Sequence, residues 1–188
     1  MRSDLSDFLV HWIKGDSDQD AFEGIWSILT QQQINGGTGG IKGQYSCICF
    51  TEAPETVFHK MASRYTRFGI RISKRNIFEM GGRPAIYQPD SEFELLPESL
   101  RWRHVRYEPN SNPPIDFTWE REWRILDKSI PINSDTATVL LPSEVWKDEL
   151  EERQWESENE RIRMEAFAYG KEYSWQDPQP IHFGFHIR

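Results

Sequence analysis

The segment DFTWEREWRIL, residues 116–126, restricts the fold more than any other stretch of the chain. Successive side chains of an extended backbone point to opposite sides. Phe117, Trp119, Trp123 and Ile125 then share one side with Arg121, and Thr118, Glu120, Glu122 and Arg124 share the other. The period predicts a β-strand whose aromatic side packs on a core. Its opposite side carries two carboxylates and a guanidinium. Alternating charge on a strand is ordinarily a salt-bridged solvent face. Two carboxylates on one face of a cleft would instead be equipped for chemistry.

The surrounding sequence predicts a mixed architecture. Residues 5–13 (LSDFLVHWI) form a strand or a short buried segment, and GDSDQD turns the chain, with Ser17 or Asp18 as a helix cap. Phe22, Ile25, Trp26 and Leu29 recur at helical spacing, so a helix is expected over residues 19–33. NGGTGGIKG ends it, YSCICFTEAP is a strand, and Pro54 suits the first turn of a helix carrying Val57, Phe58, Met61 and Tyr65. GIRIS, the strand after the GGR corner, TATVLLP and IHFGFHI add strands, and NIFEM reads as one helical turn. ESLRWRHVRY is open between a basic helix and an edge strand. A charge-rich helical segment is expected near residues 143–170, capped by Ser143, with Ser157 and Asn159 as points where it could divide. These elements give an α+β protein with mostly non-local strands and no internal repeat.

A length of 188 residues suits one domain. Only 37% of the chain is hydrophobic, but 13% is aromatic, with eight Trp and eleven Phe. Large rings supply enough burial to exclude a disordered chain. No apolar run reaches membrane-spanning length, and MRSDLSDFLVHWIKGDSD lacks the apolar segment of a signal peptide. The expectation is a soluble, cytoplasmic protein without a membrane partner. Cys47 and Cys49, two apart on a strand, are expected as buried thiols, because a disulfide across that spacing is strained. The net charge of −8 opposes a general attraction to nucleic acid. Basic clusters in RYTRFGIRISKR and LRWRHVRY leave a local basic face open, with Arg64, Arg67 and Arg71 at its start.

Several of these segments together resemble a known family. LVHWIKGDSDQDAFEGIWSIL, a glycine-containing loop and CICFTEAP resemble the opening of AbiGi-type abortive-infection proteins. RFGIRISKRNIFEMGGRPAIY and DFTWEREWRIL resemble that family's middle and core motifs. The succession, covering most of residues 5–142, is similar in more divergent form to DarT-like ADP-ribosyltransferases. The resemblance implies an ADP-ribosyltransferase-like split β-sandwich with flanking helices, in a single domain over residues 1–188. It also implies nicotinamide adenine dinucleotide (NAD) as substrate, held in the cleft between two small sheets. The protein would be the effector of a bacterial anti-phage or toxin–antitoxin system, with a nucleic acid or protein acceptor and a possible cognate antitoxin or toxin.

Residue roles follow from the same resemblance. Glu122 would be the catalytic residue and Glu120 would orient the acceptor, in the Glu-x-Glu form of Glu120-Arg121-Glu122. Arg124 would bind a phosphate or neutralise Glu122. His11 would bond the adenosine ribose and the cofactor backbone, Thr51 would support the catalytic Glu beside Glu52, and Tyr65 would stack on nicotinamide. The residues alone leave bland alternatives: His11 as a satisfied strand histidine, Thr51 as a helix cap, and Tyr65 as core. Gly81, Gly82 and Arg83 make a corner that shapes the cleft or tolerates positive φ. NGGTGGIKG fails the phosphate-loop form, because Lys42 precedes Gly43 rather than Ser or Thr. His182 and His186 share a strand face without completing a metal set, so no metal is expected. A second function class stays open, a non-catalytic antitoxin or interaction module on the same fold. Its docking strip would be Val145, Trp146, Leu150 and Trp155 on the acidic helix.

Overall fold

The computed structural model describes residues 6–53, 65–170, 172 and 183–187. The first strand, β1 (Phe8–Trp12), leads into α1 (Asp18–Gln31), then β2 (Gln33–Asn35), β3 (Cys47–Thr51) and β4 (Gly69–Ser73). After α2 (Lys74–Glu79) come β5 (Arg83–Pro84), β6 (Ile86–Gln88), a 3-10 turn, α3 (Glu98–Arg101) and β7 (His104–Arg106). The chain closes with β8 (Glu122–Leu126), β9 (Ser129–Pro131), β10 (Ala137–Leu141), α4 (Glu144–Ala168) and β11 (Gly184–Ile187). The helix expected after Pro54 lies outside the described residues, as do Arg64 and His182.

Local chemistry explains the clearest elements. Ser17 caps α1 by accepting the Asp20 N–H at 3.1 Å, and Phe22, Ile25 and Leu29 face inward, as their spacing predicts. Gln32, in the left-handed region, ends the helix, and its N–H returns to the Ile28 and Leu29 carbonyls. Seven strands form one sheet in the order β11-β10-β4-β1-β3-β8-β5, with two-stranded pairs β2–β9 and β6–β7 beside it. Only β10–β11 is parallel within the large sheet. The architecture is α+β. ESLRWRHVRY becomes both of its alternatives, a short helix followed by a strand.

Register assigns every strand residue to one of two faces, since directly paired residues point the same way. One face carries Leu9, Ile48, Phe50, Ile70, Ile72, Trp123, Ile125 and Val139, and α1 and α4 cover it to make the main core. Each fully buried Ile or Leu there contributes roughly 1.5–3 kcal/mol. The other face carries Val10, Trp12, Cys47, Cys49, Thr51, Glu122 and Arg124. It is covered in smaller patches: Val10, Trp12 and Leu140 meet Tyr65, and Cys47 meets Ile41 and Trp102. The sheet is therefore apolar on one side and polar at β3–β8 on the other.

Two expectations require correction. The strand expected over residues 116–126 begins only at Glu122; Thr118–Glu120 is a 3-10 turn, and Arg121 has φ +45°. The cause is Asp116, whose Oδ1 accepts both the Thr118 N–H at 2.8 Å and its hydroxyl at 2.7 Å. That local bond replaces the ladder partner an extended chain would need. The helix near residues 143–170 forms as α4 without a division at Asn159, whose amide bonds the Trp155 carbonyl. Its expected docking strip divides, with Val145 72% exposed, Trp155 half-buried and the other two residues turned inward. Leu150 is fully buried, and Trp146 packs on Phe22 and Phe68 with ring centroids 5.2 Å away in each case. No described helix is long and apolar enough to cross a membrane.

Candidate functional site

The kink at Arg121 places Glu120 and Glu122 on different backbone elements, a turn and a strand, and the end of β3 fixes both. Thr51 pairs with Glu122 in register, and its hydroxyl donates to the Glu120 carbonyl at 2.8 Å. The Glu52 N–H donates to the Glu120 and Arg121 carbonyls at 3.2 and 3.3 Å. Thr51 thus holds the turn that presents Glu120.

The Glu120 carboxylate is buried, and its Oε2 accepts the Tyr65 hydroxyl at 2.9 Å. Tyr65 lies over Val10, Trp12 and Leu140 on the polar face. Glu122 donates its N–H to the Tyr87 hydroxyl at 2.7 Å. Burial raises the Tyr87 phenol well above its ordinary pKa, the Glu122 N–H opposes that, and the charges of Glu122 and Glu120 add to it. Both carboxylates therefore act on one neutral phenol.

Arg124 completes the site. Its Nε donates to Glu122 Oε1 at 2.8 Å and its Nη2 to Oε2 at 3.4 Å. Nη1 donates to the Trp102 and His104 carbonyls at 2.9 and 2.8 Å. The two side chains are only 5% and 12% exposed, for Arg124 and Glu122 respectively, so the pair lies largely out of water. Burial works to lower the Arg124 pKa, but the Glu122 charge and hydrogen bond outweigh it and leave it raised. A carboxylate has about four acceptor positions, so the fork leaves acceptor capacity on Glu122. The carbonyls of Trp102 and His104 fix the guanidinium from behind.

The structure brings together Glu120, Glu122, Thr51, Tyr65 and Arg124. It leaves His11 out. His11 sits on the opposite, apolar face, edge-on to Phe50 at 5.8 Å, and its Nδ1 donates to the Cys49 carbonyl at 2.8 Å. Burial lowers its pKa, the Cys49 carbonyl acts the other way, and Lys14 lowers it further. It is a half-buried strand histidine with a backbone partner, turned away from Glu120 and Glu122. The reason is parity: in β1, residue 10 shares a face with Thr51 and residue 11 cannot.

Neighbouring groups have structural roles. Burial pushes the Cys47 thiol up to about 11 and holds Cys49 higher still, so neither is a thiolate nucleophile at neutral pH. Glu52 binds Lys74 and accepts the Trp123 indole N–H at 2.9 Å. Gly81 takes φ +88°, and Arg83 donates to the Phe78 and Gly82 carbonyls. No group of three His, Cys, Asp or Glu suited to a metal occurs among the described residues. Sequence reasoning missed Tyr87, because its contact with Glu122 spans 35 residues and no local pattern encodes it.

No family model matches the chain, and the searches of curated proteins and of solved structures found no similar protein.

Proposed function

We propose that the protein is an ADP-ribosyltransferase of the kind found in bacterial anti-phage and toxin–antitoxin systems, taking NAD as substrate and transferring ADP-ribose to a nucleic acid or protein acceptor. On this reading the polar face around β3 and β8 is one wall of an ADP-ribosyltransferase-like cleft. The observation that carries the reading is the convergence of two carboxylates where β3 meets β8 and the turn before it: Glu122, gripped by Arg124, and Glu120, bonded by Tyr65, both acting on Tyr87. A solvated charge ladder would not bury its members to this degree.

In the proposed reaction the bond between ribose C1′ and the nicotinamide nitrogen breaks, and its electron pair leaves with nicotinamide. Positive charge develops on the ribose, and the Glu122 carboxylate stabilises it electrostatically. Arg124 keeps that carboxylate in one orientation, so little reorganisation is needed as charge develops. The acceptor then forms the new bond to C1′, and Glu120 takes the proton it loses. Tyr65 and Thr51 are positioning residues for Glu120. His11 has no part in substrate binding on this account.

The binding step is tested by calorimetric titration with NAD. Wild-type protein is expected to saturate, and both Tyr65→Phe, which loses only the hydroxyl that holds Glu120, and His11→Ala are expected to bind as wild type. Absence of binding by folded wild-type protein, or loss of binding only in the His11 variant, would contradict the assignment.

A further inference from the structure

A cavity of about 360 Å³ opens beside the described site, lined by Gly40, Ile41, Lys42, Gln44, Asp90, His104 and Arg106. Neither carboxylate of the candidate site lines it. His104 forms part of its wall, with a side chain only 1% exposed, and its Nε2 has no hydrogen-bond partner among the described residues. The nearest carboxylate oxygen, Asp90 Oδ1, is 3.9 Å away, too far for a hydrogen bond. Burial lowers the His104 pKa, the Pro89 carbonyl and Asp90 oppose that, and Lys42 and Arg124 reinforce it. With the Pro89 carbonyl accepting the other ring nitrogen's proton, Nε2 of the neutral ring carries a lone pair. Leaving such an acceptor buried and unpaired opposes folding, so its presence calls for a reason.

Each cation of the lining is paired with a carboxylate, Lys42 with Asp90 and Arg106 with Glu108 outside the lining. Lys42 Nζ lies 3.2 Å from Asp90 Oδ2 and 5.0 Å over the Phe93 ring, and Arg106 pairs with Glu108. Two cations against two carboxylates favour a ligand group that is neutral and both donates and accepts. Hydroxyls meet that requirement. The two oxygens of a cis-diol lie closer together than 3.9 Å, so two diverging hydrogen bonds of about 2.8 Å span acceptors at this separation.

We propose that this cavity binds the vicinal diol of a ribose, with Asp90 Oδ1 accepting one hydroxyl proton and His104 Nε2 the other. Lys42 and Arg106 at the rim donate to the remaining lone pairs of the sugar. The volume is that of a small-molecule pocket. A site of this form separates ribose from deoxyribose, because removing either hydroxyl leaves one acceptor unpaired. This inference does not rest on the proposed transferase activity.

Saturation-transfer NMR tests it on the full-length protein, with adenosine and uridine beside their 2′-deoxy counterparts. The ribonucleosides are expected to give signals at least fivefold stronger. Asp90→Ala and His104→Phe should each abolish that preference, the latter retaining a ring against Phe93. Because Asp90 is partly exposed, its variant carries the test if the His104 variant fails to fold. Equal signals from ribo and deoxy forms, no signal from any nucleoside, or a preference that survives Asp90→Ala would overturn the proposal. A competing mononucleotide and an RNA oligomer ending in a free 3′ diol identify the source, according to which displaces the nucleoside.

Discussion

Glu122 and Arg124 share a burial cost that neither could bear alone. A charge left without its partner in such an environment costs about 3–5 kcal/mol. Arg124→Ala should therefore destabilise the protein by about that amount, read as a lower urea midpoint with an unchanged slope. Glu122→Gln should cost less, about 1–3 kcal/mol, since the amide oxygen still accepts one guanidinium proton. It should fold and lose transfer, whereas a structural ion pair alone would lose stability and leave turnover intact. His11 and His104 set a pH dependence. Burial is the largest influence on each and lowers both pKa values below 6.5 in the folded state. The unfolded chain then binds more protons, so stability falls as pH drops from about 6.5 toward the folded values, by at most about 1.4 kcal/mol per pH unit for each histidine. Thermal unfolding at pH 7.5 and 5.5 should show a lower Tm at pH 5.5, and His11→Phe should flatten the difference. A Tm that rises on acidification would contradict the assigned burial.

At the scale of elements, what was legible in the sequence was what local chemistry determines. The Ser17 cap, the α1 stripe and the apolar runs of β4 and β10 are written in neighbouring residues, and all appear in the fold. The turn at Thr118–Glu120 was not read, although its signal was present in Asp116, two residues before Thr118. The facing of His11 was not legible at all, because it depends on pairing with residues 40 to 60 positions away. The GGR corner divides into two requirements. Gly81 needs positive φ, whereas a Cβ on Gly82 would meet Ile77 Cγ2 at 2.5 Å and the Ile77 carbonyl oxygen at 2.6 Å. Gly82→Ala should therefore cost about 1–3 kcal/mol or more, visible in chemical denaturation; a neutral effect would mean that the corner is free to shift. On α4, Leu150→Ala should cost about 2–5 kcal/mol, whereas Phe167→Ser, at an 86% exposed position, should stay within about 0.5 kcal/mol. Equal effects would restore the docking role read for this helix from its sequence.

At the scale of the whole molecule, the sheet has two faces that divide the labour. The apolar face and its helices supply the stability, and the polar face between β3 and β8 holds the buried charges. The α+β class was legible because strand and helix periods survive in single segments. The joining of seven strands into one sheet was not, since the order of strands is set by contacts between distant segments. The pairing of Glu120 with Tyr65 and of Glu122 with Arg124 likewise appears only once the chain is folded. The proposed activity requires Glu122 to stabilise a ribose from which nicotinamide departs. Nicotinamide release from NAD, followed by chromatography for wild type and Glu122→Gln with nucleic acid and protein supplied as acceptors, measures it directly. Wild-type protein is expected to release nicotinamide, and the folded variant to lose at least about 100-fold of that rate. Equal release by both, or none by folded wild-type protein with any acceptor, would contradict the proposed activity.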